Sequence, residues 1–484
     1  MSHLEQQIKA LTQQVELLTN RVEKLQAENQ QLKKENSQLR EQNDQLRDKI
    51  AKLEKNSSNS SKPPSSDIVD PQPGRKKKKK RKIGGQKGHP KHSRQPFADD
   101  EIDRTIIHKL PAKEVQRRGL IPLDETESAL QQIDLPEQLF DVIEHRVQLY
   151  VDPRGKIVKA KIPRDIRKAG LFSPRMIALT GYLKARGHMS YSTLQAFFDE
   201  IMNLDVCQGY LSKVCTKKLS AALQPAYSEV AEFIRNAPVV GTDETGHKNP
   251  AYKSAWTWCQ QTPQAVFFHI SNSRASKVLI DILGSDFGGI VVCDYYSANK
   301  KFINDNDIQV QYCWAHLVRD IKFLTTLSYK TVRRWAEALL SILRKLFELW
   351  KTRHQRHPGR CKKKIEKLRK TFLQKVRRPP DHSDAWNIKK RFNGSGKKSH
   401  FLFLERDGVP PTNNASEQAI RFVVIDRRVT QGTRSWAGMR WCERAWTVVA
   451  TSARHKRSVY QFFLNAINAT YADTPYPKLI PANL

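Results

Sequence analysis

The chain has 484 residues, 39% of them hydrophobic, which is enough for two or three domains with at least one sizeable core. Lys and Arg number 84 against 49 Asp and Glu, and the net charge of +35 predicts a polyanionic partner, nucleic acid first. No stretch reaches the ~20 apolar residues of a membrane-spanning helix, no apolar signal core is present, and the seven cysteines include no C-x-x-C, so we expect a cytoplasmic protein without a disulfide framework.

Residues 1–55 carry the pattern of a coiled coil. Leucine recurs at every seventh position from Leu4 to Leu53, without proline or glycine. The interleaved a positions are occupied by Ile8, Val15, Val22, Asn29, Asn36, Asn43 and Ile50. Because a buried Asn pair tolerates a parallel, in-register dimer better than other states, the pattern predicts a parallel homodimer. A solvated single helix is the alternative.

Residues 56–100 are predicted to form a Ser/Pro-rich linker followed by a basic DNA-binding run. Residues 75–94 include eleven Lys or Arg and no acid. Lysines near phosphates release counterions, so binding by this run would be sequence-blind and salt-sensitive. A disordered tail or a localisation signal fits the same residues. The candidate DNA-binding residues of the run are Arg75, Lys76, Lys77, Lys78, Lys79, Lys80, Arg81, Lys82 and Lys87.

The next two segments are predicted to differ in secondary structure. Residues 101–165 contain scattered strand-like runs and are expected to form a small β-rich module. Residues 166–235 have helical patterns, and residues 191–218 have the length of a helix-turn-helix. Lys213 and Lys217 would lie on its second helix and contact DNA. Two packed helices without a groove contact fit the pattern equally well.

Residues 236–327 alternate as strands of a sheet do, and three strands, a helix and a further strand predict the first part of a ribonuclease-H-like core. The first strand should end at Asp243, before turn residues Thr245 and Gly246, and a later strand should deliver Asp294. A fifth strand is predicted over residues 310–316. Residues 328–400 are expected to be a helical insertion, and residues 401–484 to be the second part of the core with C-terminal helices.

Asp243, Asp294 and Glu417 would together offer three hard oxygen ligands. Two Mg²⁺ (or Mn²⁺) ions held by such ligands clamp the attacking and leaving oxygens of a phosphoryl displacement. An acid at a strand end is more often a turn residue, and Glu417 three residues after Asn414 also fits a capping box. Glu244 should face the other side of the sheet. Glu405 and Asp426 are alternative third ligands, should Glu417 only cap its helix.

Six motifs in order resemble those of the IS sixty-six family of bacterial DDE transposases. They are N-S-S-K-P-P-S-S-D (59–67), G-G-Q-K-G-H (84–89), D-E-T (243–245), C-D-Y-Y-S-A-N (293–299), C-W-A-H-L-V-R-D (313–320) and N-N-A-S-E-Q-A-I-R (413–421). The resemblance runs from about residue 59 to residue 467. It implies an α/β ribonuclease-H-like catalytic core with an inserted α-helical domain, preceded by a coiled coil and a helix-turn-helix-like region. By motif, its acidic triad falls on Asp243, Asp294 and Glu417.

The same resemblance bears on the neighbouring residues. Cys313 and His316 form a lone C-x2-H, too few ligands for a closed zinc site. The resemblance implies a catalytic, scaffolding role for His316, with a structural histidine as the alternative, and Arg319 and Arg421 are candidate DNA contacts. Members of the family usually carry a zinc module with paired cysteines, but residues 101–206 contain no cysteine, so no structural zinc is expected.

We therefore expect a homodimeric DDE transposase that binds transposon ends and catalyses metal-dependent strand cleavage and strand transfer. The expected partners are double-stranded DNA (transposon ends and target) and a second copy, with other element-encoded proteins as candidates and no membrane. The expected location is the nucleoid. The alternatives are a non-enzymatic or decayed DNA-binding protein, which has no need of the triad, and a ribonuclease-H-like nuclease that cuts without joining.

Overall fold

A computed structural model of the chain describes residues 3–54, 96–123, 130–136, 138–252 and 254–481. The basic run and most of the predicted linker, including the candidate DNA-binding residues between Arg75 and Lys87, lie outside these ranges.

The N-terminal segment is one unbroken helix, α1 (His3–Leu53), which confirms the helix that the heptads predict. From Ile8 onward, the apolar heptad side chains are exposed in the single chain, as Leu46 at 58% illustrates. Near its C-terminal end, α1 contacts the rest of the protein. The Asp48 carboxylate accepts a hydrogen bond from His382 Nε2 at 3.1 Å, and Ala51 packs against a helical core. These two residues occupy f and b heptad positions, so the docked face lies opposite the apolar seam.

The predicted β-rich module contains one short hairpin. Its strands are β1 (Leu149–Val151) and β2 (Ile157–Lys159), paired antiparallel, and their residues are exposed. Asp152 stabilises the turn, because its Oδ1 accepts the backbone N–H groups of Arg154 and Lys156. A short helix, α2 (Ala112–Arg118), precedes the hairpin. The described strands are therefore shorter than predicted, since no second layer covers their apolar side chains.

A group of short helices follows. They are α3 (Arg164–Ala169), α4 (Pro174–Ala185), α5 (Tyr191–Ala196), α6 (Gln208–Lys213), α7 (Ser220–Ala222) and α8 (Gln224–Arg235). The π-helical turns Phe197–Ile201 and Val214–Leu219 extend α5 and α6. Ser173 and Ser190 cap α4 and α5 by accepting backbone N–H groups with their side chains. Lys213 and Lys217 are exposed on the second helix of the predicted pair.

The main sheet has five strands in the order β5-β4-β3-β6-β7. Their bounds are β3 (Val239–His247), β4 (Ala255–Gln261), β5 (Val266–Ser271), β6 (Ile290–Cys293) and β7 (Gln309–Tyr312). Strands β3 to β5 form an antiparallel meander, whereas β6 and β7 run parallel to β3. Helices α9 (Lys277–Leu283) and α10 (Ser297–Asp305) connect the later strands. The chain thus has the mixed α/β core that the pattern predicts.

The prediction that the first strand ends at Asp243 was wrong. Thr245 and Gly246 continue β3 and pair with Thr257 and Trp256 of β4. On the other side, pairing with β6 stops at Gly241. Asp243 therefore lies where the parallel half of the sheet ends while the antiparallel half continues, and a local turn pattern does not report that asymmetry.

Helices follow β7 immediately. They are α11 (Trp314–Leu324), α12 (Lys330–Lys351), α13 (Pro358–Arg377), α14 (Ser383–Lys390) and α15 (Gly396–Phe401). The predicted strand over residues 310–316 thus ends early, and His316 lies in the first turn of α11. These helices share a core in which Trp314 lies 5.6 Å from Phe372 and 5.1 Å from Phe401, measured between ring centroids.

Three C-terminal helices complete the fold, namely α16 (Asn414–Thr430), α17 (Trp436–Arg454) and α18 (Val459–Ala472). Helix α17 covers the outer edge of β5. Thr451 and Thr447 accept the backbone N–H groups of Val266 and Phe268 at 3.1 and 3.0 Å, and Glu443 accepts that of Ile270. Residues four apart on a helix match residues two apart on a strand, because both rise by about 6 Å. These backbone N–H groups at the edge of the sheet are thereby hydrogen-bonded without another strand.

Candidate active site

Asp243 and Asp294 lie side by side at the end of the parallel half of the sheet. Asp243 is on β3, and its Oδ1 accepts the backbone N–H of Glu244 at 2.9 Å. Asp294 directly follows β6, and its Oδ1 accepts the backbone N–H of Tyr296 at 3.1 Å and the amide of Asn299 at 2.8 Å. Among the described residues, neither Oδ2 accepts a hydrogen bond. Each aspartate is therefore oriented through its Oδ1.

Glu417 lies in the first turn of α16 and faces α11. Its Oε1 is 3.3 Å from Arg319 Nη2 and 3.6 Å from His316 Nδ1. The capping-box alternative was wrong, because the N-cap residue is Asn413 rather than Asn414 and forms no side-chain cap bond. The carboxylate of Glu417 is thus used for contacts between helices.

The three predicted acids interact electrostatically. Burial raises the pKa of Asp243 well above its usual value, and the charges of Glu244, Asp294 and Glu417 raise it further. The three predicted acids do not form the tightest ligand group, however. Within the described chain, one group of three side chains has its potential metal-ligand atoms within 4.8 Å of one another. It consists of Cys313, His316 and Glu417. Glu417 therefore contacts α11, while the two aspartates lie side by side at adjacent strands of the sheet.

Glu244 adds a fourth carboxylate, and its neutralising partner was missed in the sequence. Glu244 binds the guanidinium of Arg274 at 2.6 Å, and this guanidinium lies 4.3 Å from the Trp256 ring centroid and 3.8 Å from that of Tyr296. Asp294 nevertheless contributes to a raised pKa of Glu244, after burial. Strand alternation predicts that Glu244 faces the other side of the strand from Asp243, yet the charge of Glu244 raises the pKa of Asp243, so the two belong to one electrostatic cluster.

Helix α11 forms another side of the site, next to Glu417 of α16. Cys313 is its N-cap residue and His316 lies one turn further along. Burial, and then the charge of Arg319, lowers the pKa of His316 below its usual value. The neutral imidazole is therefore favoured at neutral pH. Arg319 also donates to the carbonyl oxygen of Ala315 and is largely buried, unlike a typical phosphate contact on a surface.

Asn413 connects β3, α11 and α16 at the site. The sequence patterns gave this residue no role of its own. This buried side chain donates from Nδ2 to the Thr242 carbonyl oxygen at 2.7 Å and accepts from Ser416 Oγ at 2.6 Å. Its backbone N–H donates to Cys313 Sγ at 3.1 Å. A Cβ at Gly241 would lie 2.5 Å from Ser416 Oγ, so only glycine permits this approach of β3 to α16. Asn413 thus ties the strand of Asp243 to the helix of Glu417.

The remaining predicted residues lie elsewhere or have other partners. Lys213, Lys217 and Arg421 are exposed. The alternative acids are engaged by other groups, because Glu405 pairs with Arg369 at 2.8 Å and Asp426 with His188 at 3.2 Å. Glu417 also has an arginine partner, but its charge is among those that raise the pKa of Asp243.

A family model described as the transposase IS66 family matches residues 169–441, more than half of the chain. The chain belongs to this family. The match confirms the predicted resemblance and includes Asp243, Asp294, His316 and Glu417. A second model, described as a family of unknown function, matches residues 3–95. No curated protein matches the sequence.

Membership of a transposase family indicates transposition as the function and an enzymatic action on DNA. DDE transposases generally use divalent metal ions, which agrees with the oxygen-rich cluster around Asp243. Among the helices described, none is both long and apolar enough to cross a membrane.

Proposed function

We propose that this transposase uses Asp243, Asp294 and Glu417 to cleave DNA at transposon ends and to join the freed ends to target DNA. One observation carries the proposal: three acids from distant parts of the chain converge, so that Asp294 and Glu417 both raise the pKa of Asp243. Retaining such repulsion costs stability, and sites with strongly perturbed carboxylates are commonly functional.

The topology supports a ribonuclease-H-like core. An antiparallel three-strand meander is extended by two parallel strands. Asp243 lies on the central strand β3 and Asp294 directly follows the adjacent strand β6, where parallel pairing stops. In this proposal, the helices between β7 and α16 are the inserted domain. The remaining divisions of the chain stand as predicted from the sequence, with the coiled coil, the linker and basic run, the small module and the helix-turn-helix-like region before the core.

The donor set fits divalent cations, two Mg²⁺ or Mn²⁺ in the proposed mechanism. Asp243 and Asp294 would bind through the oxygens that accept no hydrogen bond among the described residues, and Glu417 would exchange its contact with Arg319 for a cation. When bound, the ions would stabilise negative charge on the reacting phosphate. No structural zinc is proposed.

Other side chains keep this acidic site assembled. Arg274 neutralises Glu244, and Arg319 neutralises Glu417 at 3.3 Å. His316, favoured in its neutral form, adds no positive charge that would compete with a cation. Arg319 can also approach a phosphate oxygen once Glu417 turns away from it, which agrees with its predicted role in DNA binding. His316 would then act as a positioning residue for Glu417.

We also propose that the protein is a parallel homodimer that binds duplex DNA. The apolar seam of α1 is exposed, and the opposite face of α1 docks through Asp48, so a second copy can occupy the seam without displacing that contact. Lys213, Lys217 and Arg421 are exposed and available to phosphates. The basic run between Arg75 and Lys87 would add sequence-blind affinity.

The test uses labelled DNA that carries the element's own ends. With Mg²⁺, the parent protein should nick at the 3′ boundary of the element and then produce joined products with a target plasmid. Asp243→Asn, Asp294→Asn and Glu417→Gln should bind the DNA like the parent and form neither product. Glu405→Gln is the matched control, because it also removes an acid but leaves the triad intact.

Each outcome has a distinct meaning. Cleavage by Glu417→Gln at the parent's rate would remove Glu417 from the site. Nicking without joining would identify a nuclease that does not transfer strands. Binding without cleavage by the parent would favour the non-enzymatic alternative.

A further inference from the structure

Helix α13 carries an unusual concentration of positive charge. Residues 358–378 include ten Lys or Arg and one acid, Glu366. One of these cations, Arg369, pairs with Glu366 and Glu405. Within the part of the chain that the structure describes, the other nine form no ion pair with an acid. Structural ion pairing therefore does not explain the charge.

The helix separates its charged and apolar residues onto two faces. Cys361, Phe372 and Val376 are buried against the neighbouring helices. The opposite face is exposed and has a surface depression lined by Lys362, Lys363, Glu366, Lys367, Lys370, Thr371 and Gln374. None of the large hydrophobic side chains of α13 is exposed. The outer face is thus cationic without an apolar anchor.

We propose that this face, which we call the α13 basic face, binds the phosphate backbone of double-stranded DNA. The absence of an exposed apolar side chain disfavours insertion into a membrane surface, since amphipathic membrane helices bury apolar residues at the bilayer boundary. Lys363, Lys367 and Lys370 lie three or four residues apart and so share one side of the helix. They extend over about 10 Å, comparable to three base-pair steps of a DNA strand.

The position of α13 indicates which part of the DNA it would contact. Phe372 of α13 packs on Trp314, the first residue of the helix that carries His316 and Arg319. With a usual helix-packing distance of about 10 Å, the widths of α13 and α11 together would place the basic face roughly 20 Å from the acids, or about six base pairs. The face would therefore hold DNA flanking the reacting phosphate. In this respect the inference rests on the proposed function.

The test is a measurement of binding in the full-length protein. The probe is a fluorescent duplex of arbitrary sequence and about 40 base pairs, and its affinity is measured by anisotropy over a range of salt concentrations. The variant Lys363→Gln/Lys367→Gln/Lys370→Gln should reduce the slope of log K against log salt by up to about 2.7, which is about 0.9 for each phosphate that the protein no longer neutralises. Its affinity for the same duplex should fall at least about tenfold at low salt.

Two control variants separate charge from other effects. Lys363→Arg/Lys367→Arg/Lys370→Arg keeps the charge and should keep the slope. Lys24→Gln/Lys34→Gln/Lys52→Gln removes the same charge from solvent-facing positions of α1 and should change the slope much less. A slope unchanged by the α13 variant, or lowered equally by the α1 variant, would overturn the proposal. So would equal binding of the variant and the parent alongside a selective loss of binding to anionic phospholipid vesicles.

The outcome can be distinguished from a failure of the proposed function. If the parent does not cleave DNA but the α13 variant has a lower salt slope, the α13 basic face binds DNA and the proposed cleavage activity is wrong. If the parent cleaves DNA and the α13 variant has an unchanged salt slope, the proposed cleavage activity is retained and the α13 basic face does not bind DNA.

Discussion

Replacing Asn413 with alanine should uncouple the strand of Asp243 from the helix of Glu417. The change removes the hydrogen bond from Nδ2 to the Thr242 carbonyl oxygen and the bond from Ser416 Oγ to Oδ1, both at a buried side chain. A buried polar group left without a partner costs about 1–3 kcal/mol, so two such groups predict a loss of about 2–6 kcal/mol in the free energy of unfolding. Cleavage should fall by about a hundredfold or more, because a shift of about 1 Å in a catalytic group has that effect.

The assay combines denaturant unfolding with cleavage of labelled transposon ends. Asn414→Ala is the matched control, since Asn414 is an exposed neighbour of the same residue type. It should unfold and cleave like the parent. DNA binding should persist in the folded Asn413→Ala protein, which separates misplacement of Glu417 from a general loss of structure. If Asn413→Ala loses less than about 0.5 kcal/mol and cleaves within a few fold of the parent, the connection described here is not what positions Glu417.

Two further predictions concern the acidic site and α1. Asp243→Asn should stabilise the metal-free protein at neutral pH, because the folded-state pKa of Asp243 is raised and its ionisation destabilises the fold. This gain in stability should disappear below about pH 4, where the carboxyl of Asp243 is protonated in both the folded and the unfolded state. Thermal melts of variant and parent over a range of pH would measure the gain. Adding Mg²⁺ should reduce the difference in melting temperature between variant and parent, because the ion stabilises the parent. Placing asparagine at Leu25 and Leu32, both exposed in the single chain, should convert a dimer into a monomer in sedimentation, whereas a monomeric parent would contradict the coiled-coil proposal.

Patterns in the sequence predicted those features that depend on local periodicity. The heptads predicted α1, and short apolar runs predicted the strand of Asp243 and the strand that leads to Asp294. Errors arose where a partner element decides the outcome. Thr245 and Gly246 have turn composition, yet pairing with β4 holds them in a strand. The apolar runs near residues 147–162 resemble longer strands, but only a short hairpin forms there.

Residues that assemble the site through distant contacts gave no signal of their own. Asn413 was part of a recognised motif, but its bond to Thr242 depends on how α16 approaches β3. Arg274 follows a strand in an ordinary loop, and its pairing with Glu244 depends on the curvature and packing of the sheet. A single sequence records neither contact, because each joins residues far apart along the chain.

The charge balance of the site indicates where a cation would first bind. Four carboxylates meet there, and two of them are neutralised by arginines: Glu244 by Arg274 and Glu417 by Arg319. Within the described chain, Asp243 and Asp294 form no ion pair with an arginine, and the pKa of Asp243 is raised by its burial first and then by the neighbouring carboxylates. A divalent cation matches the two charges that remain. We infer that the aspartates bind the first ion, and that Glu417 joins only after releasing Arg319, which would then be free to meet the phosphate of incoming DNA.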